Sequence, residues 1–236
     1  NTHSKHNSNI LVQDKNIYKK ISKFRYGIEF LEDFTKCQEI NVTKKNYYSY
    51  LVKSTLRNYL INTMHDFMIQ NFLSMLHIHF KLHKKFPSKM NTKIFPDGRS
   101  EIIHKKNNMI ILVDYAHTKE AFENLLSNLP KDTLHKIIIF GCGGNRDKSK
   151  RAKMAKVASK YTDIQIITDD NPRNENPSSI RKILCQNSSN YIEIPSRQRA
   201  IERGVKLLKK KKGLLVIAGK GHENIQIYKN KIFPFN

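Results

Sequence analysis

From residue 108 onward, short apolar runs alternate with stretches in which apolar residues recur at helical spacing. The apolar runs predict strands at 109–113, 136–140, 164–168, 191–195 and 214–218. The stretches between them predict helices at 119–129, 150–160, 178–185 and 197–210, and the last apolar runs predict a hairpin at 225–228 and 231–233. Short continuous apolar strands joined by helices are typical of an α/β fold with a doubly wound, mostly parallel, Rossmann-like sheet.

The first hundred residues have a weaker pattern. Asn, Lys, Tyr and His are frequent in the first fifty, and the clearest signal is the helical spacing of apolar residues over 64–86. We therefore predict a partial α/β segment before the sheet. His79 and His83, four residues apart, would lie on one face of that helix, but no set of carboxylates accompanies them. Histidines exposed on a basic helix are the interpretation we favour, and we predict no metal site.

The charge of the chain raises the question of nucleic acid. Its 236 residues carry 43 Lys and Arg against 20 Asp and Glu, a formal net charge of +23, and such a balance is typical of nucleic-acid-binding proteins. The lysines, however, are scattered through every segment, and Asn and Ile are also abundant, as A/T-rich codons would produce. No aromatic and basic RNA motif and no zinc-finger spacing is present. We therefore predict no specific nucleic-acid partner.

Cysteine usage and apolar run lengths indicate the compartment. Cys37, Cys142 and Cys185 form no CxxC pair and are odd in number, which favours reduced thiols over a disulfide framework. No apolar run approaches the ~18–20 residues of a membrane span, and no secretory signal stands at the start. We expect a cytoplasmic protein with no membrane partner. Because the first residue is Asn1 rather than Met, we also expect a fragment or a processed form.

Polar clusters follow four of the predicted strands, each at the same end. They read DYAHT at 114–118, GCGGNRDK at 141–148, DDNPR at 169–173 and GKGHE at 219–223. In doubly wound sheets, ligands bind beyond the carboxyl ends of the strands. We therefore predict one composite site built from these clusters rather than four unrelated loops.

Two of the clusters suit an anion or a nucleoside. The glycines of 141–148 let backbone N–H groups approach a ligand, and Arg146 and Lys148 lie where the next helix begins, a natural anion site. The spacing of a Walker A loop is absent, and a plain tight turn is the alternative. Asp114 would accept hydrogen bonds from hydroxyls, with a helix N-cap as the alternative, and His117 would contact a ring.

The other two clusters suit an amino acid. Pro172 stiffens its loop, Arg173 would bind a carboxylate with two hydrogen bonds, and Asp170 would bind an ammonium group. An N-cap with a surface ion pair is the alternative for this loop. Gly219 has no side chain and so leaves space for a ligand, and Glu223 offers a carboxylate to a cation.

The motifs DYAHT, FGCGGNRDKSKR, TDDNPRNE and AGKGHE, in this order and near these spacings, resemble the C-terminal domain of the Mur ligases, in particular the members that add meso-diaminopimelate. The resemblance is strong over 95–235. It extends weakly to 67–71, where FMIQN is similar to a family FNxxN element with Met68 in place of its first asparagine. It implies that 105–236 is the C-terminal ligase domain and that 1–104 is the remnant or tail of the central ATP-binding domain.

The resemblance also implies a reaction and a set of site residues. Mur ligases of this type use ATP and Mg²⁺ to phosphorylate the glutamyl carboxylate of UDP-MurNAc-L-Ala-D-Glu, and the amine of meso-diaminopimelate then attacks the acyl phosphate, in peptidoglycan precursor synthesis. The residues that would bind diaminopimelate are Arg146, Asp170, Asn171, Pro172, Arg173, Gly219 and Glu223. Those that would contact the nucleotide are Asn71, Arg99, Asp114, His117 and Lys148. Lys148 would also be catalytic, because its positive charge would stabilise the transferring phosphoryl group.

The chain departs from the family pattern in several places. Ser100 stands where the usual motif around Arg99 reads GRME. This sequence has no counterpart of the family's phosphate loop, its magnesium-binding glutamate and histidine or its carbamylated lysine. We therefore expect the missing domains that carry them on the same or another chain. These missing groups would bind the phosphates and the metal ion, which is how such enzymes catalyse phosphoryl transfer. The alternative is a stand-alone or degenerate α/β module that binds an amino acid or a nucleotide without turnover.

Overall fold

The computed structural model describes residues 10–12, 28–30, 40–46, 49–54, 58–63, 65–83, 85, 87, 95–130 and 135–235. The chain divides into two compact units. One unit comprises Asn1–Ile61 with Phe67–Met90, and the other comprises Asn62–Asp66 with Asn91–Asn236. Each unit is described here by itself.

The first unit contains short strands and one long helix. Its strands are β1 (Ile10–Val12) parallel to β2 (Ile28–Phe30), and a separate sheet in the order β3 (Ile40–Asn46), β4 (Ser49–Ser54) and β5 (Asn58–Asn62). The helix predicted over 64–86 is confirmed as α1 (Asp66–His83). The ring of Tyr59 meets that of Phe72 edge-on at 5.7 Å between centroids, so β5 and α1 share buried apolar contacts.

The second unit is built on a six-stranded sheet, which confirms the predicted doubly wound, mostly parallel fold. Its strand order is β10-β9-β8-β11-β7-β6. Five strands run parallel, namely β7 (Met109–Asp114), β8 (Lys136–Phe140), β9 (Ile164–Ile167), β10 (Tyr191–Glu193) and β11 (Gly213–Ala218). The four strands that precede the polar clusters are therefore neighbours, because β9, β8, β11 and β7 are consecutive in the sheet.

One strand of this sheet was not predicted. Strand β6 (Glu101–Lys106) pairs antiparallel with β7 at the sheet edge. Its residues are half-buried or exposed, so no continuous apolar run marks it. The turn consists of Asn107 and Asn108, both with positive φ (52° and 58°), a conformation that suits a tight hairpin and that asparagine tolerates. Strand β6 spans residue 104, and the assignment of 1–104 and 105–236 to two family domains stays a prediction.

Four helices cover the parallel sheet and confirm the predicted ones to within a few residues. They are α2 (Lys119–Ser127), α3 (Ser149–Tyr161), α4 (Pro177–Gln186) and α5 (Arg197–Lys211). The side chains of Thr118, Asn176 and Ser196 cap the N-termini of α2, α4 and α5 by accepting backbone N–H groups. None of the helices in the described ranges is long and apolar enough to cross a membrane.

The core of this unit lies between the sheet and its helices. Ile137, Ile139, Ile166 and Leu215 are fully buried and pack with residues of α5. The predicted hairpin is confirmed as β12 (Ile225–Tyr228) antiparallel to β13 (Lys231–Pro234), which form their own two-stranded sheet.

Candidate functional site

The carboxyl ends of β7, β8, β9 and β11 border one cleft of about 540 Å³, and all four polar clusters contribute to it. Of the residues expected to bind diaminopimelate, six line the cleft: Arg146, Asp170, Asn171, Arg173, Gly219 and Glu223. Of those expected to contact the nucleotide, His117 lines it. The fold therefore brings together residues that are up to about a hundred positions apart in the chain.

Five other predicted residues lie elsewhere. Pro172 is buried, and neither it nor Asp114, Arg99 or Lys148 lines the cleft. Asn71 is an exposed residue of α1, in the first unit.

The glycine-rich loop after β8 packs directly on the loop after β9. A Cβ atom on Gly141 would overlap the carbonyl oxygen of Thr168, and one on Gly144 would overlap that of Pro172. The Gly144 N–H donates to the Asn171 carbonyl at 2.9 Å. These glycines are thus required by the close approach of two backbones, a reason that the sequence analysis did not anticipate.

An ion pair fastens the same two loops. The Glu175 carboxylate accepts from Arg151 Nη2 at 3.0 Å and from the Asn145 N–H at 2.6 Å, and the Arg151 side chain is almost fully buried. The guanidinium of Arg151 holds the pKa of Glu175 below its ordinary value. Neither residue was predicted to matter, although both stand at the ends of motifs singled out in the sequence.

The two lysines at the start of α3 have different surroundings. The Lys148 side chain is 70% exposed, and its Nζ lies 3.8 Å from Glu175 Oε2. Lys150, which was not predicted, lines the cleft, and its Nζ donates to the His117 carbonyl at 2.6 Å. Helix α3 therefore presents Lys150 and Lys153 to the cleft, whereas Lys148 does not line it.

The two aspartates after β9 have separate roles. Asp169 is buried and its oxygens accept from the guanidinium of Arg181 and from the Tyr228 hydroxyl, the latter at 2.9 Å. Burial, reinforced by Asp169, raises the pKa of Tyr228. Asp170 lines the cleft, and its Oδ1 accepts from the Asn171 N–H at 2.7 Å. Only Asp170 is placed to meet a ligand.

Arg173 is held in a left-handed conformation, with φ of 51°, by the terminal hairpin. Its N–H donates to the Ile227 carbonyl at 3.1 Å, and its own carbonyl accepts from the Lys229 N–H at 2.7 Å. Nη1 of its guanidinium donates to the Gly144 carbonyl at 2.9 Å. The hairpin and the glycine loop therefore orient this side chain at the edge of the cleft.

Asp114 stabilises a turn and does not cap α2. Its Oδ2 accepts from the N–H of Ser100 at 2.7 Å and from its hydroxyl at 3.1 Å, and its Oδ1 accepts from the Ala116 N–H at 2.6 Å. The alternative of an N-cap at Asp114 is wrong, because Thr118 accepts the Ala121 N–H. Ser100, the departure from the family pattern, is therefore a direct hydrogen-bond partner of a motif residue.

Aromatic side chains lie beside the cleft. The guanidinium of Arg99 lies 4.5 Å from the centroid of the Tyr115 ring. The same ring stacks on His222 at 5.3 Å and meets His117 edge-on at 4.8 Å. Burial, together with Glu223, raises the pKa of Tyr115. Tyr115 and His222 were not selected from the sequence, although both lie within its motifs.

Glu223 is connected to the interior of the protein. Its Oε1 accepts from the Tyr115 hydroxyl at 3.2 Å, and its Oε2 accepts from Asn171 Nδ2 at 3.1 Å and from Lys220 Nζ at 3.3 Å. Lys220 is 2% exposed and was also missed by the sequence analysis. Among the described residues, no group of three or more His, Cys, Asp or Glu side chains is arranged to hold a metal ion.

Comparison with known proteins places this site in a family context. The family model for the glutamate ligase domain of the Mur ligases matches residues 98–221. The UDP-N-acetylmuramoyl-L-alanyl-D-glutamate–2,6-diaminopimelate ligase of Rickettsia montanensis is 41% identical over 212 residues, covering 85% of this chain and 41% of the relative. The ligase of the same name from Anaplasma marginale is 44% identical over 146 residues, covering 60% and 29%. The chain thus spans less than half the length of these relatives.

Solved structures agree on the fold. A UDP-N-acetylmuramoyl-L-alanyl-D-glutamate–2,6-diaminopimelate ligase superposes with a TM-score of 0.57 at 24% identity, covering 97% of this chain and 50% of that one. The MurF ligase from Thermotoga maritima in complex with ADP gives a TM-score of 0.61 at 15% identity, covering 91% and 50%.

Proposed function

This chain belongs to the Mur ligase family, and from that premise we propose that it forms the amino-acid-binding part of an ATP-dependent ligase. The reaction proposed is the addition of meso-diaminopimelate to UDP-MurNAc-L-Ala-D-Glu, a cytoplasmic step of peptidoglycan precursor synthesis. The observation that carries the proposal is that Arg146 and Arg173 line one cleft with Asp170 and Glu223.

The chemistry of these four side chains suits the head group of an amino acid. A guanidinium binds a carboxylate with paired charge-assisted hydrogen bonds, and a carboxylate accepts from an ammonium group. The Asp170 carboxylate has room for a ligand because its neighbour is Gly219, where a Cβ atom would lie 3.3 Å from Asp170 Oδ2. Diaminopimelate keeps one ammonium group and two carboxylates after one amine has reacted, so the ammonium would face Asp170 and Glu223 and the carboxylates would face the two guanidinium groups.

In the proposed reaction, the residues of this chain bind and orient the incoming amine. ATP supplies the phosphoryl group that turns the glutamyl carboxylate into an acyl phosphate. The amine then forms the C–N bond and loses a proton, while the C–O bond to phosphate breaks. Lys150 and Arg146 would place positive charge near the departing phosphate, where charge stabilisation lowers the barrier. The described residues include no group of three or more His, Cys, Asp or Glu side chains that could hold Mg²⁺.

The nucleotide would lie towards Arg99, Tyr115 and His117. The Arg99 guanidinium lies over the Tyr115 ring and His117 meets that ring edge-on, so the three side chains would offer aromatic and cationic contacts to a base. Asp114 would support this side indirectly, since its described hydrogen bonds go to Ser100 and Ala116. A contact from Asn71 stays a prediction.

The test is selectivity between meso-diaminopimelate and L-lysine, measured by calorimetry on the 236-residue chain. We expect meso-diaminopimelate to bind at least about tenfold more tightly, because lysine lacks the carboxylate that Arg173 would bind and a charged hydrogen bond is worth ~1.5–3 kcal/mol. Arg173→Ala should abolish that preference. Arg203→Ala, an exposed position on α5, is the control and should retain it. Equal affinities for the two amino acids in the unaltered chain would refute the proposal.

A further inference from the structure

We propose that Lys220 is a positioning residue, which sets the Glu223 carboxylate so that the cleft selects a ligand carrying an ammonium group. This inference rests on the proposed function, because it assigns Glu223 to the ammonium of the amino acid. It adds a determinant of specificity that does not itself touch the ligand.

Lys220 has no donor left for a ligand. Its Nζ donates to Ile225 O at 2.6 Å, to Asn171 Oδ1 at 3.0 Å and to Glu223 Oε2 at 3.3 Å. A lysine ammonium carries three N–H groups, and each has an acceptor. A buried ammonium without such partners would be costly, so these three hydrogen bonds hold Lys220 in a fixed position inside the protein.

Asn171 also helps to hold the Glu223 carboxylate in place. Its Oδ1 accepts from Lys220 and also from the Ile227 N–H at 3.0 Å, and its Nδ2 donates to the same Glu223 oxygen that Lys220 contacts. Asn171 is 5% exposed. Although it borders the cleft, its oxygen is already occupied by two donors. We therefore infer that Asn171 also acts through Glu223.

The hydrogen bonds from Lys220 and Asn171 leave Glu223 with one oxygen for a ligand. Oε2 receives both internal donors, whereas Oε1 receives only the Tyr115 hydroxyl at 3.2 Å. A carboxylate oxygen accepts about two hydrogen bonds, so Oε1 has capacity for an ammonium N–H. The Glu223 side chain is 29% exposed and lines the cleft, as this role requires.

The positive charge of Lys220 has a second effect, on the part of the cleft where Asp170 and Glu223 lie. Asp170 and Glu223 both line it, and two carboxylates near each other repel. The buried ammonium of Lys220 offsets that repulsion before any ligand arrives. Arg197 is a second buried cation on this side, where its Nη2 donates to the Ala218 carbonyl at 2.8 Å. Both cations place positive charge behind the two carboxylates that line the cleft.

The experiment measures binding of meso-diaminopimelate and of pimelate, the dicarboxylate of equal length without ammonium groups, to the 236-residue chain. Lys220→Met keeps the length and the apolar stem but removes the charge. We expect its Kd for meso-diaminopimelate to rise at least about tenfold, while its Kd for pimelate changes less than about twofold. Lys206→Met, an exposed position on α5, should bind both ligands as the unaltered chain does.

A second variant covers the case in which Lys220→Met does not fold. Asn171→Leu keeps about the size of the side chain and adds no charge, but it removes the donor to Glu223 Oε2, so it should show the same selective loss. Equal weakening of both ligands in either variant would mean a general structural role and would overturn the inference. Unchanged selectivity would overturn it as well, leaving the proposed function intact. If the unaltered chain binds no meso-diaminopimelate, the proposed function and the inference fail together.

Discussion

Lys148 and Lys150 stand two residues apart at the start of α3, and only Lys150 lines the cleft. Two residues correspond to more than half a turn of a helix with 3.6 residues per turn. Neighbouring cations at a helix start therefore point to different sides, and the motif alone does not show which of them meets a ligand.

This difference can be measured in a full-length ligase that carries this segment. We expect Lys150→Ala to lower kcat by about 10²–10³-fold, the range for removing a group that stabilises charge in the transition state. Lys148→Ala should lower it by less than about threefold, because that side chain is mostly exposed beside Glu175. A larger loss of kcat in Lys148→Ala than in Lys150→Ala would restore the catalytic role that the motif predicted for Lys148.

At the scale of elements, the site depends on two loops that pack on each other. Gly144 and Gly143 form a matched pair for testing this contact. A Cβ atom on Gly144 would overlap the backbone of Pro172, whereas one on Gly143 would lie 2.9 Å from Arg173 Nη1, the end of a flexible side chain.

We expect Gly144→Ala to destabilise the protein by about 1–3 kcal/mol, since backbone overlap forces the loops apart. Gly143→Ala should change the free energy of unfolding by less than about 1 kcal/mol. It should nevertheless weaken binding of meso-diaminopimelate, because Arg173 must move. Urea denaturation combined with calorimetry separates the two effects. Equal stability of the two variants would contradict the close packing of these loops.

The ion pair between Arg151 and Glu175 predicts a pH dependence for the same loop pair. Arg151 lowers the pKa of Glu175 from its ordinary 4.5, so the folded state binds this proton less readily than the unfolded state. The stabilisation is therefore complete above about pH 4.5 and is lost as the pH falls through the lower, folded pKa.

Thermal unfolding between pH 3 and pH 7 tests this expectation. Glu175→Gln should be less stable than the unaltered chain at pH 7, and the difference should shrink towards pH 3. Glu202→Gln, an exposed position on α5, is the control and should follow the unaltered chain. A difference that stays constant with pH would show that the charge of Glu175 is not what holds the loops.

At the scale of the whole molecule, the cleft lies within one compact unit and the phosphate-binding machinery of the family does not appear in the sequence. We expect the isolated 236-residue chain to form no amide from ATP, meso-diaminopimelate and UDP-MurNAc-L-Ala-D-Glu, because no phosphate loop positions the nucleotide. A full-length ligase carrying this segment is the positive control, with phosphate release as the measurement. Robust turnover by the isolated chain would show that the chemistry resides here.

The sequence alone was sufficient for the parallel sheet and its helices, because buried parallel strands are continuous apolar runs and the helices between them are amphipathic. It was also sufficient to predict that the four polar clusters lie together, since chain direction alone puts the carboxyl ends of parallel strands at one edge of the sheet. Strand β6 was missed because an edge strand that is half-buried at most has no such run.

Only the tertiary structure decided which side chains line the cleft. Asp169 and Asp170 are adjacent in sequence, yet Arg181 and Tyr228 engage the first and the cleft receives the second. Lys220, in the middle of a glycine motif, is buried because Asn171 and Ile225 supply its acceptors. Such partners lie far apart in the chain or on a separate hairpin. The direction and charge environment of a side chain depend on packing between distant segments, which no local pattern in the sequence contains.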